Sequence, residues 1–152
     1  MTTRPLQPHE SGCNRYWFVS PERYHAALLS LGDLVAGLHP FPDCIVGIKR
    51  SGLFPAVYLS HRFKLPMFTD SEVKSLPMDR FSRPLIADTT VWSGKSARRT
   101  QGRLARCGVA DPRVAAMFVR DDPFPEIDGL HYVELTDRIM HFWYDEEAED
   151  EE

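Results

Sequence analysis

The sequence predicts an α/β fold, a parallel sheet with helices on both faces, and three observations lead there. Short apolar runs at 44–48, 85–87 and 114–119 have the length of strands. Segments of helical character alternate with them, the order that gives parallel strands covered on both sides. The two loops richest in small and charged residues, 49–52 and 89–96, each follow one of these runs. Ligands of open parallel sheets bind at such carboxyl ends.

Along the chain, residues 1–15 read as irregular. Ser20-Pro21 is a helix start, with serine as N-cap and proline at the first helical position. Leu28, Leu31, Val35 and Leu38 recur at helical spacing until His39-Pro40 ends the run. A strand over 44–48, a loop over 49–52, a helix over 53–63 and a strand over 65–68 follow. The polar stretch 69–83 lacks periodicity and reads as a functional loop or lid. A strand over 85–87 and a helix over 95–107 come next, with Gly108 at the C′ position. Residues 114–119 form another strand, and 132–144 supply one or two more.

Composition narrows the function classes. The chain has 152 residues, enough to bury a core as one domain. No apolar run approaches the roughly 20 residues needed to span a bilayer, and residues 1–12 lack a signal core. Cys13, Cys44 and Cys107 are odd in number and form no C-x-x-C pair, which suits reduced thiols and a cytoplasmic setting. Seven of the last eight residues, 145–152, are acidic; setting them aside turns a net charge of −4 into a body of about +3. That balance suits a small polyanion, while the dense basic stripe of a nucleic-acid binder is missing. The tail reads as a solvated end beyond a domain over 1–144.

The segment 83–99, RPLIADTTVWSGKSARR, has the layout of a phosphate cradle. An apolar strand ends in Asp88, a turn of small hydroxyl residues follows, and Ser93-Gly94-Lys95-Ser96 opens a helix. Free N–H groups and the positive end of the helix dipole face an anion there. A nucleotide P-loop would need a glycine at position 89, where this chain has Thr89. A second candidate is Lys49-Arg50-Ser51-Gly52: Arg50 can fork onto two phosphate oxygens, Lys49 adds a point charge, and Ser51 and Gly52 expose amides.

Together the two segments resemble the type I phosphoribosyltransferase family. Residues 85–96 are similar to its motif for phosphoribosyl pyrophosphate (PRPP): apolar residues, two acids, a spacer and a T-G-x-T-like turn. Residues 43–56, with Leu65-Pro66 beyond, are similar to its pyrophosphate loop. Near the end, residues 139–145 are comparable with the F-P-W-E-like hood segment of the xanthine/guanine branch. The resemblance implies a phosphoribosyltransferase-type sheet with a small hood from about 1–20 and 120–144.

It also implies a glycosyltransferase moving the 5-phosphoribosyl group of PRPP to a base, purine-like rather than pyrimidine, with Mg²⁺. By the same resemblance Lys49, Arg50, Ser51 and Gly52 hold pyrophosphate, and Asp88 holds ribose hydroxyls and, through them, the metal. Ser93, Gly94, Lys95 and Ser96 hold the 5-phosphate, Thr89, Thr90, Val91 and Trp92 also belong to the substrate site, and Asp88 and Arg50 are its catalytic residues. Arg120 stands near the place of a base-contacting lysine, and Phe142 and Trp143 either stack on the base or anchor a strand. The family loop often carries a strained or cis peptide, which points to the Arg50-Ser51 bond. Residues 69–83, with Lys74, Arg80 and Arg83, form the lid, and dimers are common. Two positions depart from the pattern. Thr89 stands where a second acid is usual, so Thr89→Asp is expected to strengthen activity if Thr89 is a weakened acid. Trp92 stands where the branch has a proton-handling aspartate. Both fit an alternative: a non-catalytic protein that binds PRPP or a nucleotide and regulates something else.

Overall fold

The structure, a computed structural model, describes residues 16–76 and 80–145. Strands β2 (Cys44–Gly47), β3 (Met67–Thr69), β4 (Pro84–Val91), β5 (Arg113–Arg120) and β6 (Leu130–Thr136) form one sheet. Their order is β3-β2-β4-β5-β6, and every neighbouring pair is parallel. Helices α1 (Pro21–Ala36) and α2 (Leu53–Phe63) cover one face, and α3 (Lys95–Arg106) covers the other.

The local signals act as written. Ser20 caps α1 by accepting a hydrogen bond from the Arg23 N–H at 3.1 Å, and Pro21 follows it. Lys64 ends α2 in the left-handed conformation, and Gly108, at φ +92°, follows α3. Leu38 falls in the turn after α1 rather than in the helix, its N–H donating to the Val35 carbonyl.

Two core clusters lie on opposite sides of the sheet. Leu31, Val35, Ile45, Leu59, Leu85, Ala87 and Phe118 pack under α1 and α2. Val46, Ile86, Leu104, Val114 and Ala116 pack under α3. Alternate residues of β2, of β4 as far as Ala87 and of β5 as far as Met117 thus divide between the two clusters, as strand geometry requires.

The chain's two described ends clasp each other outside this sheet. β1 (Tyr16–Val19) pairs in parallel with β7 (Ile139–Phe142). The Trp17 indole N–H donates to Asp137 Oδ1 at 3.0 Å, and Arg23 of α1 pairs with Glu134 of β6. Residues 132–144 therefore split into the end of β6 and all of β7.

Three expectations change. The strand expected over 85–87 runs on to Val91, so Asp88, Thr89 and Thr90 are strand residues, not turn residues. Residues 69–83 are only partly irregular: Asp70–Ser75 is a 3₁₀ helix whose Val73 and the following Leu76 are buried against α3. A free lid of that whole length is thereby excluded, since two apolar anchors hold its first half. Asp145, counted with the acidic tail, folds back onto β7: its carboxylate accepts from the Phe142 N–H at 2.7 Å. Residues 1–15, 77–79 and 146–152 lie outside the described residues. Among the described residues no helix is long and apolar enough to cross a membrane.

Candidate functional site

Sheet register builds the site. Pairing of β2 with β4 stops at Gly47 opposite Ala87, and the Ile48 N–H donates to the Ala87 carbonyl. Beyond that point β4 continues alone on this side, and the 49–52 loop fills the space beside it. Gly52 makes this possible. A Cβ there would lie 2.4 Å from the Ile48 carbonyl oxygen, 2.9 Å from that of Ala87 and 3.1 Å from Asp88 Oδ1. Only a residue without a side chain lets the loop close onto the strand. The Lys49–Arg50 peptide is cis, one bond before the one expected. The Lys49 N–H donates to Asp70 Oδ1 at 3.2 Å, and the Lys49 and Arg50 side chains are exposed.

The overhang of β4 sorts its residues by parity. Asp88 and Thr90 face the α3 side. There they line a depression of about 150 Å³ with Val91, Trp92, Ser93, Gly94, Lys95 and Ser96. Thr89 faces the other way and has no exposed surface. Its hydroxyl donates to the Ser51 carbonyl at 2.8 Å. Thr89, singled out beside Asp88, thus has its side chain on Ser51 and outside the lining of that depression.

Gly94, at φ +79°, starts α3, which places the free amides of its first turn over the depression. Ser93 Oγ accepts from the Lys95 N–H at 3.3 Å, and Arg98 steadies the turn by donating to the Ser93 and Glu126 carbonyls.

Asp88 is the electrostatic centre. Only 8% of it is exposed, and one carboxylate oxygen accepts from the Thr89 N–H at 2.8 Å. Burial pushes its carboxyl up to about 7; the Asp70 charge adds to the rise and the amide bond opposes it. Asp70 was not singled out from sequence. It reaches the site from the end of β3, as the first residue of the 3₁₀ helix.

Arg120, at the end of β5, sits with its guanidinium 4.5 Å from the centre of the Trp92 ring, and its Nε–H donates to the Asp122 carbonyl. The aromatic pair divides. Phe142 is buried among Phe118, Tyr24 and Tyr144, so the expectation that it stacks on a ligand is corrected. Trp143 is 45% exposed and meets Tyr24 edge-on. Sequence reading also passed over Tyr24, Phe54 and Tyr144, whose rings join the hood to the first turn of α2. Their helical and terminal positions carry no local signal of this meeting.

Lys74 and Arg80 are exposed, while Arg83 donates to the Phe41 carbonyl and its N–H bonds Asp43. A second cavity, about 720 Å³, opens at the amino-terminal ends of the strands, beside His39, Arg83, Gln101 and Arg113. Residues 49–52, 88–96, 120, 142 and 143 are absent from its lining. The strand ends that carry the 49–52 and 93–96 loops lie on the far side.

No family model matches the chain, and no curated protein matches it. Solved structures do. A purine phosphoribosyltransferase from Pyrococcus horikoshii is 20% identical at a TM-score of 0.69, covering 86% of this chain and 95% of that one. The xanthine-guanine-hypoxanthine phosphoribosyltransferase of Helicobacter pylori is 16% identical at 0.73, covering 85% and 92%. A hypothetical protein from Neisseria gonorrhoeae with bound ppGpp is 14% identical at 0.72, covering 88% and 91%. What these chains share at such identities is the fold, and this chain has the type I phosphoribosyltransferase fold.

Proposed function

We propose that the protein is a phosphoribosyltransferase that transfers the 5-phosphoribosyl group of PRPP to a ring nitrogen of a purine-like base and releases pyrophosphate. One observation carries this reading. Two anion-binding elements flank a single buried carboxylate: the 49–52 loop seats through Gly52 against Asp88, and the 93–96 turn opens on the other side of it.

In this reading Lys49 and Arg50 meet the pyrophosphate charge, with the amides of Ser51 and Gly52. Asp88 accepts from the ribose hydroxyls, and Ser93, Gly94, Lys95 and Ser96 take the 5-phosphate. The Arg120–Trp92 pair faces the base, Arg120 donating to a carbonyl and Trp92 offering an apolar ring face. Trp143, exposed on the hood, is the remaining aromatic candidate for stacking.

A metal fits only as part of the ligand. Among the described residues no three carboxylate, histidine or cysteine side chains gather to hold one. Mg²⁺ commonly combines one or two carboxylates with ligand oxygens, and Asp88 supplies one carboxylate here. Bound with PRPP, Mg²⁺ would neutralise charge on the leaving pyrophosphate. The protein holds both phosphates and the ribose in place while the C1–oxygen bond breaks and the C1–nitrogen bond forms, so its contribution is positioning and charge complementarity. The proton on the base leaves to water or to pyrophosphate, since Trp92 has no atom to accept it.

Pyrophosphate release from Mg–PRPP across purine and pyrimidine bases tests the reading, with turnover on a 6-oxopurine expected. A second reading, a regulatory protein that binds PRPP or a nucleotide without turnover, is favoured by Thr89 and Trp92. The first is spent on Ser51, the second is capped by Arg120, and neither offers a proton acceptor. The ppGpp bound to the similar Neisseria protein agrees with it. Tight calorimetric binding of Mg–PRPP or a nucleotide with no turnover on any base would select this second reading. No binding at all would end both.

A further inference from the structure

Thr89 is a departure from the expected second acid, and its surroundings give it a different task. Its hydroxyl proton goes to the Ser51 carbonyl, which also accepts the Phe54 N–H at 3.2 Å. A carboxylate at this place would set acceptor against acceptor in a fully buried spot. Behind Thr89 stand two more hydroxyls. Tyr24 of α1 and Tyr144 of the hood lie beside it and beside each other. Both hydroxyl oxygens are buried without a hydrogen bond of regular geometry, although Tyr24 is only 4% exposed. Buried hydroxyls of this kind normally find partners, and the hydroxyls that stand beside them are each other's and that of Thr89.

We propose that Thr89 is a positioning residue for the 49–52 loop, and that Tyr24 and Tyr144 extend it into a hydroxyl chain linking the hood to that loop. The bond already made fixes the Thr89 end of the chain, and the order beyond it is part of the proposal. Thr89 donates to Ser51, so it accepts from Tyr24, and Tyr24 accepts from Tyr144. Any shift of the hood turn is thereby transmitted to the Ser51 carbonyl and to the amides that follow it. The hood and loop are otherwise joined through packing of Phe54 against Tyr144. The role of the loop as a pyrophosphate seat rests on the function proposed above, whereas the chain itself does not.

The test uses the whole protein with Thr89→Val, which keeps the shape and removes the hydroxyl, Thr89→Ser, which restores it, and Tyr24→Phe. Amide hydrogen exchange on the ligand-free protein reads the loop directly. In Thr89→Val the Leu53 and Phe54 amides, which bond the Arg50 and Ser51 carbonyls, should exchange at least tenfold faster. Amides of β5 should not change, and Thr89→Ser should match the parent. Tyr24→Phe should speed the same two amides at least threefold. Equal acceleration across loop and β5 in Thr89→Val means general loosening and overturns the proposal, as does no change in Thr89→Val or in Tyr24→Phe.

Calorimetry with magnesium pyrophosphate and with ribose 5-phosphate gives the second readout. Thr89→Val should weaken pyrophosphate at least tenfold and leave ribose 5-phosphate unchanged. Equal weakening of both overturns positioning through the loop. If the parent protein binds neither compound, the functional reading fails while the exchange data still decide the hydroxyl chain.

Discussion

Asp88 is a carboxylate that the fold makes expensive to ionise. Its carboxyl stands near 7 against an ordinary value of 3.8, chiefly from burial, with the neighbouring Asp70 charge adding to it. The sign follows from linkage. The folded protein holds this proton more tightly than the unfolded chain, so its stabilising effect is complete below about pH 4 and is lost as pH rises through about 7. The gap corresponds to on the order of 4 kcal/mol. Urea unfolding of the parent minus that of Asp88→Asn, from pH 4 to pH 8, should show this decline, because His131 and other groups cancel in the difference. Ribose hydroxyls and Mg²⁺ favour the ionised form, so Mg–PRPP affinity should rise over the same window and lose that slope in Asp88→Asn. The same variant should lower turnover at least tenfold, about 1.4 kcal/mol. Thr89→Asp, which the motif alone would recommend, should instead lower both stability and pyrophosphate affinity, since its carboxylate would face the Ser51 carbonyl.

At the level of elements, the loops of the site are held by backbone contact more than by side chains. Gly52 shows this most clearly. Gly52→Ala forces a methyl group to within 2.4 Å of one carbonyl oxygen and 2.9 Å of another, and neither strand can retreat. The thermal midpoint should fall, and magnesium pyrophosphate binding should drop at least tenfold while the 93–96 turn keeps its affinity for ribose 5-phosphate. An unchanged pyrophosphate affinity would remove the loop from the site. The loops at 49–52 and 93–96 were legible in the sequence because small and charged residues after apolar runs mark them locally. The length of β4 was not. Asp88, Thr89 and Thr90 have turn-like composition, yet ladder bonds to β5, through Thr90 opposite Phe118 and Val91 opposite Val119, hold them extended. That single misreading is what placed Thr89 beside Asp88.

For the whole molecule, the hood depends on partners far apart in the chain. Tyr16 pairs with Ile139, and Val19 with Phe142. No local pattern announces a pairing across 123 residues, so the alternation of strands and helices gave the central sheet, while a hood drawn from both ends came only from the family resemblance. Phe142 is its keystone, buried against Phe118 of β5, Tyr24 of α1 and Tyr144. Phe142→Ala should cost about 3–5 kcal/mol, measured as a lowered denaturation midpoint with an unchanged slope. A cost under 1 kcal/mol would mean that the hood packs independently of the sheet.

The eight residues of β4 also set a length scale. A strand rises about 3.3 Å per residue, so the carboxylate at 88 and the turn after 91 stand roughly 10 Å apart on a support that does not stretch. On the proposed function such a support would work as a ruler laid along the ligand, with one mark at its hydroxyls and the other at its terminal phosphate. A sugar phosphate one carbon longer would overshoot the second mark. One residue inserted between 88 and 91 would do more than lengthen the ruler, since Asp88 keeps its register with β5 while the strand residues beyond the insertion change face.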